Sequence, residues 1–176
     1  EYDEINVGGS FDVVLVKGKE GIIKIEGEEN INPFIEIEVS RGNLQIKYKK
    51  NTYINTTKKL TITVPITNID KVSLGGSGNI SNVGIIKTNE FSASLGGSGN
   101  IKLQIETNSM SVNIGGSGNI EISGKTTEFN CSVAGSGNIS AFNLNSEITN
   151  ATIAGSGSVK TTVNKKIKAK VVGSGN

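Results

Sequence analysis

Residues 91–101 read Phe-Ser-Ala-Ser-Leu-Gly-Gly-Ser-Gly-Asn-Ile. The stretch returns as Met-Ser-Val-Asn-Ile-Gly-Gly-Ser-Gly-Asn-Ile at 110–120 and as Phe-Asn-Cys-Ser-Val-Ala-Gly-Ser-Gly-Asn-Ile at 129–139. The tetrapeptide Gly-Ser-Gly-Asn begins at Gly76, Gly97, Gly116, Gly135 and Gly173, and a variant closing on Ser158 begins at Gly155. Successive starts lie 21, 19, 19, 20 and 18 residues apart. A period near 20 residues marks a repeat whose units hide their apolar side only by stacking on one another.

The flanks carry the strand signal. Before the turns, Phe91-Ala93-Leu95, Met110-Val112-Ile114, Phe129-Cys131-Val133, Thr149-Ala151-Ile153 and Ile167-Ala169-Val171 share one register with period two. After them come Ile80, Ile101, Ile120, Ile139 and Val159. Alternation of this kind describes a strand with one buried face. The intervening Ser92, Ser94, Ser111 and Asn113 face water in this reading. No window supports an amphipathic helix, because Thr, Val, Ile, Asn and Gly dominate. The expected fold is all-β, a single-stranded right-handed β-helix with about 20 residues per coil, its rungs about 4.8 Å apart.

The corner residues follow from stacking. Glycine bends without a Cβ clash and lets successive corners approach at strand spacing. The structural turn residues are Gly76, Gly78 and Asn79; Gly97, Gly99 and Asn100; Gly116, Gly118 and Asn119; Gly135, Gly137 and Asn138; Gly155 and Gly157; Gly173 and Gly175. The asparagines are expected to stack into an amide ladder. Ser77, Ser98, Ser117, Ser136 and Ser156 form a second row.

Residues 1–70 lack the tetrapeptide and are expected to form irregular β coils, hairpins and a cap, with 71–176 the regular coils of one continuous solenoid. Phe11–Val16 with Ile22–Glu26, and Ile35–Val39 with Leu44–Tyr48, read as hairpins or irregular coils. Val7-Gly8-Gly9-Ser10-Phe11-Asp12 looks like a degenerate corner with Asp12 near the Asn position, and Pro65 suggests an edge or corner. The sequence closes on Asn176 in mid-motif, so a further closing strand or a neighbouring chain over that end is expected.

Composition narrows function. Apolar residues make up 35% and aromatics 5%, with no Trp and 23 Gly, which suits a thin core between facing rungs. Net charge is +2, and no basic stripe is interleaved with aromatics, so nucleic acid is not an expected partner. No segment reaches the ~20 apolar residues of a membrane-spanning helix. Glu1 in place of Met is compatible with an export leader or lipid anchor upstream. Cys131 is alone, within an inward-facing run, and with no His to activate it reads as a small buried hydrophobe.

Four groups of residues invite a sharper chemical reading: the glycine corners, the glutamates of the repeats, the last lysines and the tyrosines. Gly-Gly-Ser-Gly-Asn-Ile is similar to the calcium-binding β-roll repeat, but Asn or Ser stands where that motif has an acid, and neutral ligands hold a hard cation weakly. No metal or cofactor is expected. A left-handed hexapeptide helix needs 18 residues per coil without drift, which the spacings oppose. Polysaccharide cleavage usually needs two carboxylates ~5–9.5 Å apart. Glu90 and Glu128 share a column two rungs apart, and both precede an inward Phe and point to solvent. Glu106, Glu121 and Glu147 complete the acids of the repeats. Lys160, Lys165, Lys166, Lys168 and Lys170 crowd the last coil, where they discourage edge pairing or meet an acidic glycan or headgroup. Tyr2, Tyr48 and Tyr53 are candidates for sugar stacking.

Taken with Leu60-Thr61-Ile62-Thr63-Val64-Pro65 and Val72-Ser73-Leu74-Gly75-Gly76-Ser77-Gly78, the chain resembles the putative autotransporter adhesin head (GIN) domain family of Bacteroidetes. The resemblance implies a β-helix outside the cytoplasm, in the periplasm, on the outer membrane or secreted, with no established catalytic residues. A non-catalytic surface-binding module with a glycan or protein ligand is the leading expectation. The alternatives are a carbohydrate-active enzyme on the same fold and an end-to-end assembling homo-oligomer.

Overall fold

The computed structural model describes residues 1–27, 33–49 and 60–176. They form fourteen strands linked in one sheet: β1 (Glu4–Gly8), β2 (Asp12–Lys17), β3 (Lys24–Glu26), β4 (Ile35–Ser40), β5 (Asn43–Tyr48), β6 (Thr61–Ile66) and β7 (Lys71–Leu74), then β8 (Asn79–Val83), β9 (Ile86–Lys87), β10 (Glu90–Leu95), β11 (Asn100–Ile114), β12 (Asn119–Gly135), β13 (Asn138–Gly155) and β14 (Ser158–Gly173). The result is a β-solenoid. Parallel pairing places Asn79, Asn100, Asn119 and Asn138 over one another.

The inward columns follow the alternation in the sequence. Ile5, Leu44, Val72, Ala93, Val112, Cys131 and Ala151 form one buried column across successive rungs. Val13, Ile62, Ile80, Ile101, Ile120 and Ile139 form another. Each side chain covers its counterpart above and below, so no coil needs a thick core of its own. Thr149 interrupts the column of Phe91, Met110 and Phe129. Its hydroxyl lies 2.8 Å from Ser146 Oγ, which donates to the Thr162 carbonyl, so this buried polar group is satisfied.

Stacking order departs from chain order. β1 lies between β5 and β7, and β2 between β6 and β8, all parallel. The chain thus lays down its first coil, leaves at Lys17 and returns beneath it as β5 and β6. Two antiparallel strands finish that end, β4 on β5 and β3 on β6. The Ile35–Val39/Leu44–Tyr48 hairpin forms. The pairing of Phe11–Val16 with Ile22–Glu26 does not, because both edges of β2 are occupied by parallel neighbours, Val13 lying between Ile62 and Ile80 and Leu15 beside Val64. Pro65 lies opposite Val16, at a point of β6 that β3 does not reach, so its missing N–H breaks no ladder. At the other end β14 pairs only with β13, and Ile167 and Val171 are 56% and 47% exposed.

Candidate functional site

The glycine corners are built by contact between rungs. A Cβ on Gly76, Gly97 or Gly116 would lie 2.1–2.3 Å from the carbonyl oxygen of Gly9, Gly76 or Gly97 one coil away. Gly135, Gly155 and Gly173 meet the same obstacle at 2.3–2.6 Å and alone among the motif glycines take a positive φ. Where a second Gly precedes the motif, the bend therefore needs no left-handed residue, and close stacking dictates glycine. The last glycine of each motif meets the same obstacle and a second one. A Cβ on Gly78, Gly99, Gly118, Gly137 or Gly157 would lie 2.1–2.4 Å from the carbonyl oxygen of Phe11, Gly78, Gly99, Gly118 or Gly137. At Gly99, Gly118, Gly137 and Gly157 it would also lie 2.6–2.8 Å from a methyl of Leu74, Leu95, Ile114 or Val133, and at Gly175 2.5 Å from a methyl of Ile153.

Corner oxygens are occupied by the next rung. The Gly76 carbonyl accepts from the Ser98 and Gly99 N–H groups at 3.2 and 3.1 Å, and the Gly78 carbonyl accepts from Asn100 at 3.0 Å. The asparagines form a ladder with one direction. Asn138 Nδ2 donates to Asn119 Oδ1 (2.9 Å), Asn119 to Asn100 (3.1 Å), Asn100 to Asn79 (2.9 Å), and Asn79 to the Asp12 carboxylate. Ser158 Oγ feeds the far end, donating to Asn138 Oδ1 at 2.7 Å. The degenerate corner thus supplies a charged terminus to an aligned row of amides, an arrangement in which each bond polarises the next. Ser77, Ser98, Ser117, Ser136 and Ser156 are exposed beside it.

A second corner was not legible as such. Thr107 Oγ1 donates to the Asn89 and Ser109 carbonyls, Thr126 Oγ1 to those of Asn108 and Glu128, and Ser146 occupies the next place in the row. These buried hydroxyls satisfy carbonyls freed by the bend. The available signal was a Thr or Ser three residues before each inward Phe91, Met110, Phe129 and Thr149.

The other candidates separate. Glu90 and Glu128 flank Ser109 in one outward column and are exposed. Lys87–Glu106, Lys102–Glu121 and Lys165–Glu147 are exposed pairs at 2.8, 3.1 and 2.8 Å that tie neighbouring rungs. The five C-terminal lysines are exposed on β14. Tyr2 is buried with its hydroxyl on the Pro65 carbonyl, and burial followed by the Glu20 carboxylate pushes its phenol up to about 12. Tyr48 stacks on Phe11 with ring centres 4.4 Å apart, and Tyr53 lies outside the described residues. Burial pushes the Cys131 thiol up to about 12. Among the described residues no helix is long and apolar enough to cross a membrane.

Three depressions mark the described surface, one of them, of about 400 Å³, at the Thr107 and Thr126 corner between Lys87, Glu106, Lys125 and Glu147. Another, of about 590 Å³, beside Tyr2 is lined by Asp3, Glu20, Asp70 and Lys19. There Glu20 accepts from the Tyr2 N–H at 2.9 Å, and Asp70 accepts from Thr88 Oγ1. The third, about 400 Å³, runs over the outer face of β1, β7 and the end of β10, against Gln45 and Lys47 of β5.

Stacked rungs with apolar inward columns and glycine corners define a β-solenoid. The family model described as putative auto-transporter adhesin, head GIN domain, matches residues 1–176, and the chain belongs to that family. Among solved structures it is similar to a putative adhesin from Bacteroides fragilis (TM-score 0.87, 22% identity, covering 99% of this chain and 90% of that one). It is also similar to a putative lipid binding protein from Parabacteroides distasonis (0.77, 23%, 100% and 91%) and a putative adhesin from Parabacteroides merdae (0.68, 19%, 100% and 90%). No curated protein sequence matches the chain.

Proposed function

We propose that the chain is a non-catalytic adhesive module displayed outside the cytoplasm, in the envelope or on the cell surface. The observation that carries this reading is the outer surface itself. Rung after rung presents the same short hydroxyl and amide side chains, while the corner oxygens are tied into the stack. Such a surface suits many weak contacts made together. Membership of the adhesin head family and the adhesin names of two similar structures agree with it. The test couples retention of the immobilised protein on glycan, matrix-protein and lipid-vesicle surfaces to a screen for polysaccharide breakdown. Retention without product release is expected, and release of oligosaccharides or unsaturated ends would overturn the reading. Protease shaving of intact cells tests the location, and a chain fully protected until lysis and found with the cytosol would contradict it.

A polysaccharide-cleaving enzyme is favoured by one observation, the carboxylates of Asp3, Glu20 and Asp70 lining one cleft beside the Tyr2 backbone. If that cleft were catalytic, Asp70→Asn and Glu20→Gln would abolish product release in the same screen.

A further inference from the structure

The corners hold glycine for two reasons, and only one of them is the fold. Gly97 and Gly116 touch the preceding coil, but Gly75, Gly96 and Gly115, one residue before the motif, point to solvent. A Cβ on Gly75 or Gly96 would meet nothing nearer than 3.9 or 4.0 Å, and one on Gly115 nothing within 4 Å. None of the three has a positive φ, and their N–H groups already bond the adjacent rung at 2.8 Å. Gly8, next in the column, clears Lys47 Cβ by 3.7 Å. In the later coils Ala134, Ala154 and Val172 precede the motif, each followed by a glycine of positive φ. Gly75, Gly96 and Gly115 follow the last residues of β7, β10 and β11, Gly8 ends β1, and all four leave the face bare.

The bareness makes the 400 Å³ trough. Its floor is Gly8, Gly75 and Gly96, its wall Asn6, Ser73 and Ser94, and Gln45 and Lys47 stand at the cap end. The wall side chains make no hydrogen bond to the described residues and are open to a ligand. Along the repeats no Asp, Glu, Lys or Arg occurs in 92–98, 111–117, 130–136 or 150–156. On the trough's own rungs the charges are paired, Lys71 with Glu4 at 3.4 Å and Lys47 with Glu36 at 3.8 Å.

The geometry points to this trough as the seat of a linear, uncharged polysaccharide. Flat sugar rings can lie against glycine Cα atoms that no side chain shields, and the wall amide and hydroxyls pair with sugar hydroxyls. An acidic polymer would find one lysine at one end, and an acyl chain would leave the wall groups unpaired. The inference rests on the adhesive reading above and names its face and ligand class.

The test is affinity electrophoresis of the whole chain in soluble β-glucan, xylan and mannan, with polygalacturonate as the acidic probe and anionic vesicles in a flotation assay. The Gly75→Tyr/Gly96→Tyr variant fills the trough from positions the fold tolerates, and Gly75→Ala/Gly96→Ala is the small counterpart, both checked by thermal melting. At least one neutral glycan should retard the wild type, polygalacturonate should not, and the tyrosine pair should weaken retardation about tenfold or more. Equal retardation of wild type and tyrosine pair would overturn the trough while leaving adhesion standing, as would binding confined to polygalacturonate or vesicles. Failure to bind any glycan, protein or vesicle probe would overturn both readings. Should the tyrosine pair melt early, Ser73→Ala/Ser94→Ala removes the wall hydroxyls alone and is read in the same way.

Discussion

At Phe11 and at Gly78 the chain passes the same point of two successive coils, since Asp12 pairs with Asn79. One coil places its second largest kind of side chain there and the other places none. The neighbour decides. At Gly78 the Phe11 carbonyl of the adjacent coil stands where a Cβ would be, as the Gly78 and Gly99 carbonyls do at Gly99 and Gly118, where Leu74 and Leu95 add their methyls. Below Phe11 the cap-side strand β5 turns aside after Tyr48, and the Lys49 N–H bonds the Phe34 carbonyl in the terminal hairpin. The Phe11 ring is fully buried there, packed against Tyr48. Glycine in this repeat is therefore a response to what the adjacent coil occupies, and the terminal coil answers differently because it has a different neighbour.

The strongest way to break that comparison is Phe11→Gly, which makes the degenerate corner match the consensus. If the motif were intrinsically stabilising, the change would help. The packing argument instead expects a loss of about 3–5 kcal/mol, the range for emptying a buried aromatic site. Urea unfolding checks it, and an unchanged midpoint would remove the basis of the contrast. Gly97→Ala probes the repeated side. Its Cβ meets the Gly76 carbonyl oxygen at 2.2 Å, and backbone on both sides must shift. A loss of about 1–3 kcal/mol is expected from overpacking. Gly115→Ala, one rung on but facing out, should stay within about 0.5 kcal/mol of the wild type.

The same contrast explains what could be read in the sequence. Strand register, inward columns and the stacked amides were legible because each is repeated, and stacking converts repetition into contact. The corner at Val7-Gly8-Gly9-Ser10 was legible as a degenerate one, but that Asp12 ends the ladder was not, since an acid there reads equally well as a solvated side chain. The insertion of β1–β2 between β5–β6 and β7–β8 was not, since alternation marks which residues face inward and carries no information on which rung lies next. The Thr107 and Thr126 corner went unread because hydroxyls serving a bend look like any polar loop. The trough needed coordinates, since Gly96 and Gly97 are chemically identical and differ only in where an added Cβ would point.

The two regions each bury one weak acid, which gives a pH test. Burial, then the Glu20 carboxylate, raises Tyr2 in the first coil from 10.0 to about 12. Burial raises Cys131 in the repeats from 9.0 to about 12. Both remain protonated in the folded chain at a pH where the unfolded chain releases its protons. Their contributions are intact below 9.0 and are lost as pH rises, Cys131 from 9.0 and Tyr2 from 10.0, each toward about 12. The urea midpoint should fall through that window. Cys131→Ala should flatten its lower part and Tyr2→Phe its upper part, so the pair reports which region yields first. A midpoint level across the window would contradict both assignments.

The smallest effect belongs to the ladder, and it too differs between middle and end. Asn119 is exposed, donating to Asn100 at 3.1 Å and accepting from Asn138 at 2.9 Å. Water replaces much of what Asn119→Ala removes, so the loss should be about 0.5–1 kcal/mol. Asn79→Ala removes the donor to the Asp12 carboxylate as well as the acceptor for Asn100. A bond to a charged acceptor is roughly twice as strong as one between neutral groups. The terminal substitution should therefore lower the midpoint more than the central one, although Asn79 sits nearer the chain's less regular end. Equal losses would mean that the row is a set of independent surface bonds. A larger loss at Asn79 that shrinks to the Asn119 value in an Asp12→Asn background would show the carboxylate polarising the row from the first coil into the repeats.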